Sequence, residues 1–271
     1  LALATTRAGA QPAVIAISLL NLGLGLAAEG RVAEAFTTLQ EALALVHEQQ
    51  FVYLEGNLLN ELSAVYATMG DWACARKTAQ QALQIAQTLG NSFAWVNQYR
   101  RLAVAVEAIG DYASAVTWTE QALAFSTFTP DPLYHLEVLL VRGHALRHLG
   151  KLPAAEAALQ QLFTLAQGMA RPLESAQAQL ELGHIALAAG AWSAAEQHYR
   201  AALAISAAPV TAAAQAGLAW LACQRHDLVA AQPWLEQACA TLFRQPLATQ
   251  YDVAHTALTC YWVLAVAQDP R

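Results

Sequence analysis

Asn57 and Asn60 stand three residues apart, and Asn97 and Arg100 repeat that spacing forty residues on. On a helix, a spacing of three places two side chains on one face. An asparagine amide offers a donor and an acceptor together, which matches an extended peptide backbone. An arginine suits a carboxylate, which it grips through two parallel hydrogen bonds. The four residues are therefore a candidate patch for a peptide, a C-terminus included; the alternative is that they only keep a surface wet. Histidines form a second group. His144 and His148 are four apart on one helix face, and His184 lies forty beyond His144. An HxxxH pair can chelate zinc, with Glu137 or Glu181 adding oxygen. Arg147 stands among them and opposes a cation, so they read as polar or partner-contacting groups and no metal is expected.

Other chemistry is sparse. No GxSxG, P-loop, GxGxxG or HExxH string occurs. Neither an enzyme nor a cofactor is expected. Cys74, Cys223, Cys239 and Cys260 form no CxxC pair, and each falls in an apolar helical pattern. They read as buried, reduced thiols of a cytoplasmic protein, with a disulfide or a catalytic thiol as the alternatives. The net charge is -6 and no basic run appears, which argues against direct nucleic acid contact by this segment. No charge lies between Arg7 and Glu29, but that stretch contains Gln11, Pro12, Ser18 and Asn21. Its second half also keeps the repeat register described next, so no membrane role is expected.

The elements that carry these residues follow from a repeat. Gly30, Gly70, Gly110, Gly150 and Gly190 are each 40 residues apart, and "RHDLVAAQPWLEQA" places His226 at the sixth such position. Apolar-periodic segments precede and follow each marker. Glycine after a helical segment suits a left-handed cap, so each marker is a turn between two antiparallel helices. Five residues after the marker stands alanine every time: Ala35, Ala75, Ala115, Ala155, Ala195 and Ala231. Twelve after it stand Ala42, Ala82, Ala122, Leu162, Ala202 and Ala238. Small residues at fixed places let helices pack closely, and bulky ones two after the marker, such as Trp72, Tyr112 and Trp192, fill the gap at the turn. One unit cannot bury its apolar face alone, so neighbours must stack.

The pattern resembles the tetratricopeptide repeat, whose Leu-Gly pair puts its glycine seven residues before the turn glycine. Leu22-Gly23 and Leu182-Gly183 match it fully. Gly143 keeps the glycine after Arg142, while Leu62-Ser63 and Leu102-Ala103 keep the leucine and a small residue. Tyr66 and Tyr199 occupy the large and the later aromatic positions. The resemblance covers residues 12–245. It implies an all-α, right-handed superhelical solenoid of about thirteen helices in antiparallel pairs. As one domain over 1–271, the units run 12–50, 51–90, 91–130, 131–170, 171–208 and 209–245, with a half-unit at 246–271. The usual unit has about 34 residues; the longer one here is similar to those of MalT-like and other STAND-type bacterial regulators. The chain opens "LALATTRAGA" without methionine and is read as a segment of a longer protein.

The resemblance also implies a concave groove lined by residues 13, 10, 6, 3 and 2 before each marker. In the first unit these are the apolar Ile17, Leu20, Leu24, Ala27 and Ala28, expected to pack against a preceding part or to form an apolar sub-pocket. Further along they include Asn57, Asn60, Asn97, Arg100, Glu107, Glu137, His144, Arg147, His148, Gln177 and His184, with Trp220 and then Trp262 at the far end. Trp118 and Trp234, on second helices, read as packing between repeats. The implied function is a non-catalytic module that binds a protein or peptide, as the sensor or scaffold arm of a transcriptional or signalling regulator. The alternatives are a free-standing adaptor and a small-molecule receptor, in which Trp220 and Trp262 would stack on a sugar.

Overall fold

The computed structural model describes residues 11–125, 132–205, 208–244 and 253–268. The expected boundaries at 130/131 and 245/246 lie outside them, as does the segment 1–10. Among the described residues there are thirteen α-helices and no strand. Residues 1–141 form one compact unit and 142–271 another. The first contains α1 (Pro12–Ala28), α2 (Val32–Glu48), α3 (Val52–Thr68), α4 (Trp72–Thr88), α5 (Ser92–Ala108) and α6 (Tyr112–Phe125). Of α7 (Pro132–His148), residues up to Val141 belong to it. The second contains the rest of α7, then α8 (Leu152–Gly168), α9 (Pro172–Ala188), α10 (Trp192–Ala204), α11 (Ala208–Gln224), α12 (Leu228–Arg244) and α13 (Val253–Gln268).

Each expected turn is present. Gly30, Gly70, Gly110, Gly150 and Gly190 have φ of 72 to 82°, and His226 has 58°. The residue after each donates its N–H back to a helix carbonyl, Arg31 to Leu26 and Asp71 to Tyr66, both at 2.9 Å. This is the hydrogen bonding of a Schellman C-cap. Gln50, Gly90 and Ala170 adopt the same left-handed conformation between units. Phe51 N–H closes the same bond to Val46 O at 3.0 Å. From Gly30 to Gly110 and from Gly150 to Gly190 the backbone therefore turns every 20 residues, and the described helices are mostly of 17. Aspartates after the marker cap the next helix: Asp71 accepts from Cys74 N–H, Asp111 from Ser114 and Asp227 from Ala230.

The alanines five after each marker are all buried, as are those twelve after it and Leu162. The glycine seven before the turn is explained by contact. A Cβ at Gly23 would lie 2.6 Å from Leu39, at Gly143 2.5 Å from Leu159, and at Gly183 2.6 Å from Tyr199. Only a hydrogen fits there. Trp118 stacks on Tyr99 at 5.8 Å, and Trp234 packs against two apolar clusters, so both serve the core. Val14, Ile17 and Leu24 of α1 stay exposed. No described helix is long and apolar enough to cross a membrane.

Candidate functional site

In the first unit the predicted patch is assembled, but inward. Asn60 is 7% exposed and Arg100 6%, so the expectation of a solvent-accessible patch is corrected. The reason is register. Position ten before the marker is buried where it is held by Asn60, Arg100, Leu180 and Ala216 and half-buried where it is held by Leu20 and Leu140, while positions 13, 6, 3 and 2 before it are mostly open or half-open. Asn60 Oδ1 accepts from Asn97 Nδ2 and from Gln98 Nε2, each at 3.0 Å, and its Nδ2 donates to Glu61 Oε1 at 2.8 Å. Arg100 pairs with Glu137, donates to Asn97 Oδ1 at 2.8 Å, and lies 4.9 Å from the centre of the Tyr134 ring. Arg101 faces Glu61 at 4.0 Å. Two arginines thus meet two glutamates, and hydrogen bonds a peptide was expected to take are made internally. Asn57, Asn97, Glu107 and Glu137 remain half-exposed at the edge. Gln98, Glu61, Arg101 and Tyr134 had no signal in the repeat pattern beyond adjacency to the predicted residues.

In the second unit the predicted residues converge around open space. A pocket of about 470 Å³ has Trp192, Trp220 and Trp262 among its walls, with Leu187, Ala188 and Leu258. Its polar lining is Arg147, His184, Gln224, His255 and Thr259. Trp220 and Trp262 meet edge to face, centroids 6.2 Å apart at 79°. Trp192 and Trp262 remain 43% and 52% exposed. Five helices line it: α7 gives Arg147, α9 His184, α10 Trp192, α11 Trp220 and α13 Trp262. Gln177 is half-buried and does not line the pocket.

Behind the pocket sits a buried charge. Glu181 is 0% exposed; its Oε2 accepts from Arg147 Nε at 3.0 Å, and its Oε1 lies 3.7 Å from His184 Nδ1. Burial alone would push this carboxyl up. His184 beside it and the Arg147 guanidinium outweigh that and hold it well below the usual carboxylate range. The Arg147 charge at the pocket wall is thereby paired with a buried carboxylate. His144 and His148 face one another with Nε2 atoms 3.1 Å apart, and Arg147 donates to His148 Nε2 at 3.2 Å. Burial first, then Arg147 and His144, push His148 down to about 4. His184 stacks edge-on with His255, centroids 5.1 Å apart. Among the described residues no group of three or more His, Cys, Asp or Glu side chains is placed to hold a metal ion. The repeat reading missed His255, Thr259 and Gln224, and took Trp192 only as turn filler.

Residues 14–88 match the family described as tetratricopeptide repeat. No curated protein matches the sequence. Solved structures share its fold. One is a STAND protein with a tetratricopeptide repeat sensor from Pyrococcus horikoshii, 15% identical, with a TM-score of 0.71, covering 94% of this chain and 43% of that one. This chain thus spans less than half of that protein. Another is PilW, a type IV pilus biogenesis factor, 18% identical, TM-score 0.66, covering 90% and 98%. A third is the APC/C hetero-tetramer Cut9-Hcn1, 16% identical, TM-score 0.67, covering 86% and 41%. The recurring helix pair and these matches give the chain the fold of a tetratricopeptide-repeat solenoid, and its residues 14–88 match that family.

Proposed function

We propose that this chain is a non-catalytic module that binds a protein or peptide segment and serves as the sensor or scaffold arm of a larger bacterial regulator of transcription or signalling. The observation that carries the reading is the tryptophan-lined pocket of the second unit. Large aromatic surface left open in a concavity, with polar groups at its rim, is what an anchoring side chain of a partner covers. Repeat stacks use such surfaces to bind, without chemistry of their own. The regulator context is supported by the fold likeness to the STAND protein, in which the repeats are the sensor. Arg147, His184, Trp220 and Trp262 form the proposed contact face, with His144 and His148 beside it. In the first unit the open edge of Asn57, Asn97, Glu107 and Glu137 is a separate, weaker surface. The reading places the protein in the cytoplasm, with neither nucleic acid nor membrane as a partner of this segment.

A pocket of about 470 Å³ also falls in the range of about 300–1,000 Å³ common for small ligands, which favours a neutral, sugar-like molecule as the second reading. A thermal-shift panel of aromatic-containing peptides and neutral oligosaccharides separates the two. A ligand at 100 times its Kd stabilises by about 2.7 kcal/mol. Peptide hits support the first reading and sugar hits the second. Hits that survive both Trp220→Ala and Trp262→Ala remove the pocket as the site. The full-length sequence decides the context: a P-loop module upstream or a helix-turn-helix downstream supports a regulator arm, and their absence supports a free-standing adaptor.

A further inference from the structure

A second open space lies in the first unit. A groove of about 550 Å³ runs between α2 and α4, lined by Leu43 of α2, Glu55 and Leu59 of α3, and Ile85 of α4. The next repeat shows what this place accommodates. Forty residues on from Glu55, Leu59 and Ile85 stand Trp95, Tyr99 and Phe125. Those three rings pack together: Phe125 lies 5.2 Å from Trp95, edge to face, and 6.1 Å from Tyr99, stacked. Leu83 is buried in the same cluster, whereas its counterpart Leu43 stays half-buried beside the groove. The groove is thus the equivalent of a space that aromatic rings fill one repeat on, and Glu55, Leu59 and Ile85 supply no ring.

The groove is also charged unevenly. Glu55 lines it, and the exposed Glu48 closes α2 at the same end. His47 lies 3.4 Å from Glu55 there. Ile85, near the end of α4, stands 3.0 Å from where a Cβ on Gly56 would lie, so α2 and α4 both turn their C-terminal ends to the Glu55 side. Helix C-termini carry partial negative charge, which adds to that of the two carboxylates. Lys77 stands toward the opposite end, four residues before Gln81 of the lining. The groove therefore suits an aromatic side chain with a cation beside it, the cation at the Glu55 end.

The chain carries such a pair itself. Phe243, 90% exposed, is the most open of the described large apolar side chains, and Arg244 follows it at the end of α12. We propose that the α2–α4 groove is a self-association site for a second copy of this chain, whose Phe243 fills the groove and whose Arg244 lies beside Glu48 and Glu55. Aromatic and arginine side chains are the ones that most often carry the binding energy of an interface. The amides of Gln40, Gln81 and Gln84 in the lining offer donors and acceptors to the backbone next to this anchor. The two surfaces differ, so one contact leaves a groove open on one copy and a Phe243 open on the other. Assembly then closes on itself or grows as a chain. It does not depend on what the tryptophan-lined pocket binds.

Sedimentation equilibrium over a concentration series of the chain is the test. The average mass should rise with concentration. Phe243→Ser changes an exposed side chain and should leave a monomer throughout the series. Glu55→Trp puts into the groove the residue found at the equivalent position one repeat on, and should do the same. An equimolar mixture of these two variants should associate again and stop at pairs, since one keeps the groove and the other keeps Phe243. Arg244→Glu should weaken association several-fold, and Val229→Ser, at a side chain 87% exposed on the same helix, should leave it unchanged. If Glu55→Trp disturbs the fold, Phe243→Ser and Arg244→Glu decide. A mass independent of concentration, association that persists in Phe243→Ser or is undiminished in Arg244→Glu, or a mixture of folded variants that stays monomeric would each overturn the proposal.

Discussion

Gly183→Ala should destabilise the second unit by about 2 kcal/mol. An added Cβ would sit 2.6 Å from Tyr199 Cε1 and 2.7 Å from Cδ1, where ordinary carbon contacts are about 3.5–4.0 Å. The ring cannot retreat, because on its other side a Cβ at Gly217 would sit 2.7 Å from Cε1 and Cζ. Tyr199 is thus clamped between α9 and α11, and it is fully buried. Overpacking costs about 1–3 kcal/mol, and a clamped ring belongs at the upper end. Removing a glycine from a helix interior returns about 1 kcal/mol, which leaves a net loss near 2.

The control is Gly25→Ala in α1, where nothing lies within 4 Å of the new Cβ. Only the backbone effect remains, and the variant should gain about 0.5–1 kcal/mol. Chains of repeats do not always unfold in one transition, so hydrogen exchange of the α9 and α11 amides is the suitable assay. A loss of 2 kcal/mol appears there as exchange about 30-fold faster. In a Tyr199→Ala background the Gly183→Ala penalty should vanish, since the clash has lost its partner. If Gly183→Ala matches or exceeds the unaltered protein in that assay, contact with the ring is not what demands glycine.

Three further outcomes follow from the same contacts. Ala115 is fully buried, and Ala115→Leu should cost about 1–3 kcal/mol by overpacking, read as a lower melting temperature. Asn60→Ala removes the acceptor shared by Asn97 and Gln98, leaving amides unpaired at a cost of about 1–3 kcal/mol in chemical denaturation, with no change at the second unit's pocket. The second unit should show its own pH dependence. His148 is held at about 4 against an ordinary 6.5, so its contribution is complete above 6.5 and is lost as pH falls toward 4. Glu181, depressed below its usual range, adds a contribution that is present above its unfolded value and disappears below it. Stability of that unit measured by exchange should therefore be flat from pH 6.5 to about 8, below the range where thiols ionise, and fall on acidification. Glu181→Gln should be less stable at neutral pH and flatten the lower part of that decline.

Features that demand a particular residue were legible in the sequence. Left-handed turns asked for Gly30, Gly70, Gly110, Gly150 and Gly190, and close helix contacts asked for alanine. The turns at Gln50 and Ala170 were hidden, because a left-handed residue other than glycine leaves no compositional mark. The 40-residue period was legible and the 20-residue backbone period beneath it was not. For the site, helical spacing alone could not tell which of the five stripe positions faces outward. Position ten before the marker was assigned to the groove by likeness to shorter units, and at Asn60 and Arg100 it turns into the helix contact. His184, Arg147, Trp220 and Trp262 were found because positions six and three before the marker do stay near open space.

The residue seven before each turn and the one sixteen further on form a coupled pair. Where the first is glycine, the second is large: Gly23 with Leu39, Gly143 with Leu159, Gly183 with Tyr199, all in contact. Where the first is Ser63 or Ala103, the residue sixteen on is Ala79 or Thr119, both smaller than leucine and fully buried. The gap between the two helices of a unit is thus filled from one side or the other. Ala219 with Leu235 is the exception, and there Leu235 keeps 8% of its surface exposed, more than its counterparts in the other units. The varied remnants of the Leu-Gly pair follow from this exchange of volume. Ser63 and Ala103 can stand in place of glycine because the opposing helix presents no large side chain there, and the packing distance is kept through the pair, not through the glycine alone.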